Sequence, residues 1–181
     1  MLAFTLRYRA TPDDAEIGAV ESLARAQNAR VAWQRNGAGD PVYALVEGAD
    51  ASLAGALAAR QSATVVESPV IALAVYPERP EALPPLRQAL GGPGAPAGIV
   101  CCEPLRDGLL VEWNLDVTGA EVVLGLIDVE FARHRSARRT ELLSPIPLAW
   151  WTRIAAAGLS APEIAPDRVL EALLEEAHVA G

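Results

Sequence analysis

The chain has 181 residues, 51% of them hydrophobic and 21% charged, which is typical of a soluble globular protein. Its formal net charge of −8 argues against non-specific binding to nucleic acid. The longest apolar run, residues 70–76, is too short to span a membrane, and Arg7 and Arg9 interrupt the N-terminus where a signal peptide needs an apolar core. We therefore expect a cytoplasmic protein with no membrane partner.

The first part of the chain predicts alternating strands and helices in the order βαββαβ. Thr11 is followed by Pro12 and two acids, which is typical of a helix start with Thr11 as the cap. Alternating side chains and turn-forming residues define the remaining elements. They are a strand over 2–9, a helix from Thr11 to about Asn28, strands over 30–35 and 42–46, a helix from Asp50 or Ser52 to about Arg60, and a β-branched stretch over 64–76 that Ser68 and Pro69 interrupt.

The second part of the chain predicts the same order again. Thr118 and Glu121 have the spacing of a capping box, and the helix that follows has Val122, Leu126 and Val129 on one apolar stripe, with Val123 and Ile127 beside it. The segment 91–96 is rich in glycine and proline and is typical of a linker. The predicted elements are a strand over 70–76, a helix over 80–90, strands over 99–103 and 109–115, a helix from Thr118 to about Arg135, and a strand over 138–143.

Short matches in the same order indicate an internal duplication. Leu-Val-Glu occurs at 45–47 and 110–112, and Thr-x-x-x-Ser-Pro occurs at 64–69 and 140–145. We predict an α+β fold of two tandem ferredoxin-like βαββαβ repeats with antiparallel sheets, followed by a C-terminal helical pair. The predicted domains are a first unit over 1–69, a second unit with an extended Arg-rich helix over 70–147, and a helical extension over 148–181.

The second copy is longer than the first between its last helix and its last strand. From Gly55 to Thr64 is nine positions, whereas from Gly125 to Thr140 is fifteen. The longer stretch contains the densest charge cluster in the chain, which we call the Arg cluster. Its members are Arg133, His134, Arg135, Arg138 and Arg139.

The Arg cluster has two interpretations. Clustered guanidinium groups bind phosphate or carboxylate bidentately, so the cluster could dock a small anionic ligand or an acidic protein partner. Alternatively, the cluster is a solvated helix end. There Glu130 and Glu141 balance its positive charge, and cations interact favourably with the negative end of the helix dipole. Nucleic acid is not expected as a partner, because that would need a longer basic surface and aromatic stacking platforms.

No motif identifies a reaction, a cofactor or a metal site, so we expect no cofactor and no metal. The leading hypothesis is a non-enzymatic binding or protein-interaction protein that uses the Arg cluster. The alternative is a small-molecule enzyme with a cleft between the repeats, which would use Glu130 with His134, or Cys101 and Cys102. The two cysteines are neighbours on a predicted strand and point to opposite faces, so they are not expected to form a disulfide.

The C-terminal segment changes to a helical pattern. Residues 148–157 carry Trp150 and Trp151, and residues 166–179 form an amphipathic pattern with more acids than arginines. Tryptophan is enriched at protein interfaces. We therefore predict that these helices cover one face of a sheet or form a homodimer.

Overall fold

The computed structural model describes residues 2–34, 36, 41–114 and 116–148, with the side chains at 120 and 121 left aside. The predicted C-terminal helices lie outside these residues except for Leu148. The described chain divides into two units, one formed by residues up to Ile71 with Leu143–Pro147 and the other by Ala72–Leu142 with Leu148.

The first unit has the predicted order of elements. They are β1 (Leu2–Tyr8), α1 (Asp14–Ala26), β2 (Arg30–Gln34), β3 (Val42–Ala49), α2 (Ala51–Ala58) and β4 (Thr64–Val66). The predicted helix start was wrong by two residues, because Asp13 rather than Thr11 is the N-cap and accepts the backbone N–H of Glu16 at 2.8 Å. Asp50 caps α2 and accepts the N–H groups of Ser52 and Leu53. Of the two predicted helix starts, Asp50 and Ser52, the first is therefore confirmed.

The first sheet is antiparallel with the order β2-β3-β1-β4. Alternate residues of its strands face α1 and α2, as the period of two along a strand dictates. They form a buried core with these helices, in which Phe4, Leu6, Val46 and Leu53 are almost fully buried. Leu143–Pro147 also belong to this unit, and Asn36 donates from Nδ2 to the carbonyls of Pro41 at 2.7 Å and Leu143 at 2.8 Å.

The second unit repeats this order with a longer last helix. Its elements are β5 (Val70–Pro77), a 3₁₀ turn (Pro80–Ala82), α3 (Leu83–Gly91), β6 (Ile99–Pro104), β7 (Leu109–Asn114), α4 (Ala120–Arg133) and β8 (Arg138–Leu142). The sheet order is β6-β7-β5-β8, with Trp113 fully buried on β7. The described residues therefore form a mixed α+β fold with two antiparallel four-stranded sheets and four α-helices. None of these helices has the length and hydropathy that a membrane span requires.

The predicted cap of α4 was wrong, and its predicted apolar face was only partly confirmed. Gly119 is the N-cap and has no side chain to offer, while Thr118 Oγ1 accepts the backbone N–H of Gly98 at 3.0 Å instead of capping the helix. Within the predicted apolar face, Val123 and Ile127 are fully buried, whereas Val122 and Val129 are 44% and 48% exposed. The buried face is formed by Val123, Leu124, Ile127, Glu130 and Phe131.

The helix also ends two residues earlier than predicted. Arg135 adopts φ 50°, its N–H bonds the carbonyl of Ala132 at 3.1 Å, and the N–H of Ser136 bonds that of Phe131 at 3.0 Å. This pair of bonds is the Schellman motif, in which glycine usually occupies the position that Arg135 holds here. The Arg cluster therefore spans a helix end, a tight turn and the start of β8.

Candidate functional site

Local acids bind three members of the Arg cluster. Arg133 Nη1 lies 2.5 Å from Glu130 Oε1, and Arg138 Nε lies 2.7 Å from Asp128 Oδ1. Arg139 contacts Glu141. The Arg133 side chain is 67% exposed, and such exposed pairs contribute only about 0–1 kcal/mol to stability. These contacts pair three of the arginines with acids of the same chain, as the interpretation of a solvated helix end expects.

Arg139 has a second partner on the neighbouring strand. Its guanidinium carbon lies 4.3 Å from the centre of the Tyr76 ring, within the range of a cation–π contact. Arg139 and Tyr76 are also paired across β8 and β5. This arginine is therefore positioned by its own sheet.

The structure does not join Glu130 to His134 as an acid–base pair. No hydrogen bond links the two side chains among the described residues, and Glu130 instead accepts Arg133. Glu130 is buried on the inner face of α4, whereas His134 is the half-buried C-cap. Glu130 therefore does not orient the His134 side chain.

The two cysteines are free, and they differ in environment. Cys101 is buried, while Cys102 is half-buried and lines a cavity of about 500 Å³ together with Arg87 and Leu109. Burial raises the pKa of the Cys102 thiol, and Arg87 opposes that shift only in part. At neutral pH this thiol is protonated, which does not suit a nucleophile.

A larger polar cleft lies in the first unit, at a place that the sequence analysis missed. Its volume is about 740 Å³, within the range of small-molecule sites. The cleft is formed where β1 ends, α1 begins, and the chain passes from α2 to β4. Its lining is Arg7, Tyr8, Arg9, Ala10, Thr11, Pro12, Asp13, Ala15, Glu16, Arg60, Gln61, Ser62, Ala63 and Thr64.

One carboxylate organises this cleft. Glu16 Oε1 accepts the hydroxyl of Tyr8 at 3.2 Å and that of Ser62 at 2.5 Å. Glu16 Oε2 accepts Arg60 Nη2 at 2.5 Å and Nε at 3.2 Å. The network joins β1, α1 and the turn after α2, so it fixes the relative positions of the three elements that form the cleft.

Backbone and aromatic contacts support the same network. Gln61 lies between Arg60 and Ser62 in the turn from α2 to β4. It adopts φ 58°, a conformation that is uncommon for residues other than glycine. The Tyr8 ring packs against Trp33 with the ring centres 5.8 Å apart. Tyr8 thus has its apolar part in the core and its hydroxyl in the cleft.

The charge state of the network is constant around neutral pH. The hydrogen bond from Arg60 is the main cause that lowers the pKa of Glu16, and burial opposes it. Burial, together with the negative charge of Glu16, raises the pKa of Tyr8 well above its ordinary value of 10.0. The hydrogen bond to Glu16 likewise raises the pKa of Arg60. Glu16 is therefore ionised, while Tyr8 and Arg60 keep their protons.

The sequence carries almost no local sign of this cleft. Glu16 is separated from Arg60 by 44 positions and from Ser62 by 46. The available signals were the corner of Tyr8, Arg9 and Pro12, where polar residues follow a strand, and the acid at the third helical position of α1. Neither signal identifies the distant partners.

Comparison with known proteins identifies no family. A scan against protein-family models found no match, and a search of curated proteins found none either. Among solved structures, the chain is similar to a crystal structure of an unknown protein from Galdieria sulphuraria, with a TM-score of 0.35 and 12% sequence identity. The match covers 78% of this chain and 98% of that chain. A likeness at this level supports no argument about this protein.

Proposed function

We propose that this protein binds a small polar anion without altering it chemically, in the cleft where β1 meets the start of α1. The observation that carries the proposal is the Glu16 network, which holds the cleft open with a carboxylate bonded to Tyr8, Arg60 and Ser62. A site that is already organised before binding loses less conformational entropy when the ligand arrives. The proposal keeps the non-enzymatic binding function but moves it away from the Arg cluster.

The lining favours an anion. Three guanidinium groups, those of Arg7, Arg9 and Arg60, face two carboxylates, those of Asp13 and Glu16. Arg60 already binds Glu16, whereas Arg9 is exposed at the end of β1, so its guanidinium group is the one offered to the ligand. Guanidinium groups bind phosphate and carboxylate in a bidentate manner. The hydroxyls and amide that complete the lining suit a ligand with further polar groups.

The same network argues for binding rather than catalysis. A general acid or base works best when its pKa lies near the operating pH. Here the pKa of Glu16 is lowered and that of Tyr8 is raised, so both are moved away from neutrality. These groups can orient a ligand, but they are poorly matched to proton transfer. The enzymatic alternative, with His134 and Glu130 or the two cysteines, would show itself as turnover of a bound ligand.

We further propose that the two units are tandem ferredoxin-like repeats. In support, both sheets have the order second, third, first, fourth strand within their unit. The strand register follows the sequence matches: Arg7 pairs with Thr64 in the first unit, and Val75 pairs with Thr140 in the second. In each pair the partner of the threonine, Arg7 or Val75, directly precedes a tyrosine at or near the end of the first strand of its unit. This shared register is what a duplication would leave behind.

The test is anion binding by isothermal titration calorimetry, with inorganic phosphate and citrate as probes at pH 7 and constant ionic strength. Arg9→Gln should weaken binding about five- to tenfold, because it removes one charged hydrogen-bonding group at an exposed rim. Arg106→Gln is the matched control, since it removes the same charge from an exposed turn of the second unit. Equal affinity in both variants, or binding by neither the wild type nor the variants, would refute the proposal.

A further inference from the structure

The solvent-facing side of α4 carries an apolar stripe. Val122 and Val129 are 44% and 48% exposed. Gly125, between them, and Ala132, after them, are also exposed, and Leu126 is half-buried. Because 3.6 residues make one turn, these positions lie on one face, opposite the buried stripe of Val123, Ile127 and Phe131. Just before the helix, Val117 is 58% exposed and extends the patch. We call this patch the outer face of α4.

A stripe of exposed apolar side chains on a helix is typical of an interaction surface. The other amphipathic helix of comparable length provides a comparison, since α1 exposes Asp14, Ser22 and Arg25 on its outer side. On α4 the exposed Asp128 borders the outer face and Arg133 lies at its C-terminal end, so charged groups flank the apolar stripe. α4 also has 14 residues where its counterpart α2 has 8, so the extra length of the second unit builds this face.

We propose that two copies of this chain associate through the outer faces of their α4 helices, packed antiparallel about a two-fold axis. Val122 and Val129 are seven residues apart, about 10.5 Å along the helix, and lie on either side of Gly125. An antiparallel pair centred near Gly125 places Val122 of one copy against Val129 of the other. Gly125 has open space where a Cβ would stand, so the two helix backbones can approach closely at the centre.

Charge complementarity favours a second copy in this arrangement. Arg135 lies beyond the C-terminal end of α4, and the exposed Asp116 lies before its N-terminal end. An antiparallel pair brings Arg135 of each copy to Asp116 of the other, twice by symmetry. Among the described residues Arg135 makes no ion pair, whereas Arg133 and Arg138 each bind an acid of their own copy. The two helix dipoles also oppose each other favourably.

The experiment is sedimentation analysis of the full chain over about 1–200 µM. The wild type should show a monomer–dimer equilibrium, and Val129→Asp should weaken the dimer at least tenfold while the folded circular dichroism spectrum stays unchanged. Val100→Asp is the matched control, because Val100 is 42% exposed on β6, away from α4. A wild type that stays monomeric throughout, or a dimer that both variants weaken equally, would overturn the proposal.

A charge swap tests the arrangement itself. Arg135→Glu and Asp116→Arg should each weaken the dimer several-fold, and the double variant should restore it, because the swapped charges meet again across the two-fold axis. Failure of the double variant to recover overturns the antiparallel pairing. If residues 149–181 of the same chain cover this face instead, Val129→Asp will lower the unfolding temperature without changing the mass, which also overturns the proposal.

Discussion

Replacing Glu16 by glutamine should destabilise the first unit, because Glu16 connects three of its elements. Glutamine keeps the size of the side chain and one oxygen that can accept Tyr8 and Ser62, but it removes the charge and places an NH2 donor where Arg60 needs an acceptor. Asp14→Asn is the matched control. It removes a carboxylate from the same first turn of α1 at an exposed position that does not line the cleft.

The expected loss is about 1–2 kcal/mol in the free energy of unfolding. The Arg60 side chain is 36% exposed, so its ion pair with Glu16 contributes about 0.5–1 kcal/mol after solvent screening. Tyr8 and Ser62 both donate to Oε1, so the amide oxygen keeps their hydrogen bonds, but the loss of the charged acceptor weakens these bonds by about 0.5–1.5 kcal/mol in total. Asp14→Asn should cost only the interaction with the helix dipole, about 0.3–1 kcal/mol.

The assay is urea unfolding followed by far-UV circular dichroism and tryptophan fluorescence, repeated from pH 7 to pH 3. The pKa of Glu16 is lower in the folded protein than its ordinary value of 4.5. Its contribution is therefore complete above that ordinary value, and it is lost as the pH falls through the lower folded value. The difference between the wild type and Glu16→Gln should accordingly shrink on acidification below about pH 4.5.

Two results would refute this reasoning. One is a Glu16→Gln variant as stable as Asp14→Asn at pH 7, which would show that the network adds nothing to an ordinary first-turn acid. The other is a difference that grows on acidification, since that would reverse the sign of the linkage. A double-mutant cycle with Arg60→Gln should give a coupling of about 0.5–1 kcal/mol, and strict additivity would count against the ion pair.

Three further changes test the structure elsewhere. Arg135→Gly should raise the stability by about 1 kcal/mol in dilute protein, because a non-glycine residue at φ 50° costs about 1–2 kcal/mol; an unchanged thermal midpoint contradicts this. Gly98→Ala should destabilise by about 1–3 kcal/mol in urea unfolding, since its Cβ would lie 2.6 Å from a threonine hydroxyl, while Gly94→Ala, in open space, should be nearly neutral. At pH 7 iodoacetamide should modify Cys102 slowly and Cys101 only after unfolding, so rapid labelling of both would contradict their burial.

Local signals predicted the elements well where the chain itself supplies the partner. Asp50 caps α2 because its carboxylate reaches the N–H groups of Ser52 and Leu53 two and three residues later. Ser68 and Pro69 divide the β-branched stretch because proline cannot donate to a strand ladder. Thr118 does not cap α4, because its hydrogen-bond partner is distant along the chain. Its hydroxyl accepts the N–H of Gly98, a partner 20 positions away that no local pattern reveals.

The sequence by itself determined the order of strands and helices, since hydrophobic periods of two and 3.6 residues depend on neighbours along the chain. It could not determine which face of α4 is buried. That helix has apolar residues on more than one side, so the periodicity leaves its rotation open, and packing in the second unit buried Val123 and Ile127 rather than Val122 and Val129. Only the tertiary structure brought Glu16, Arg60 and Ser62 together, because contacts across 44 and 46 positions depend on how the chain folds back.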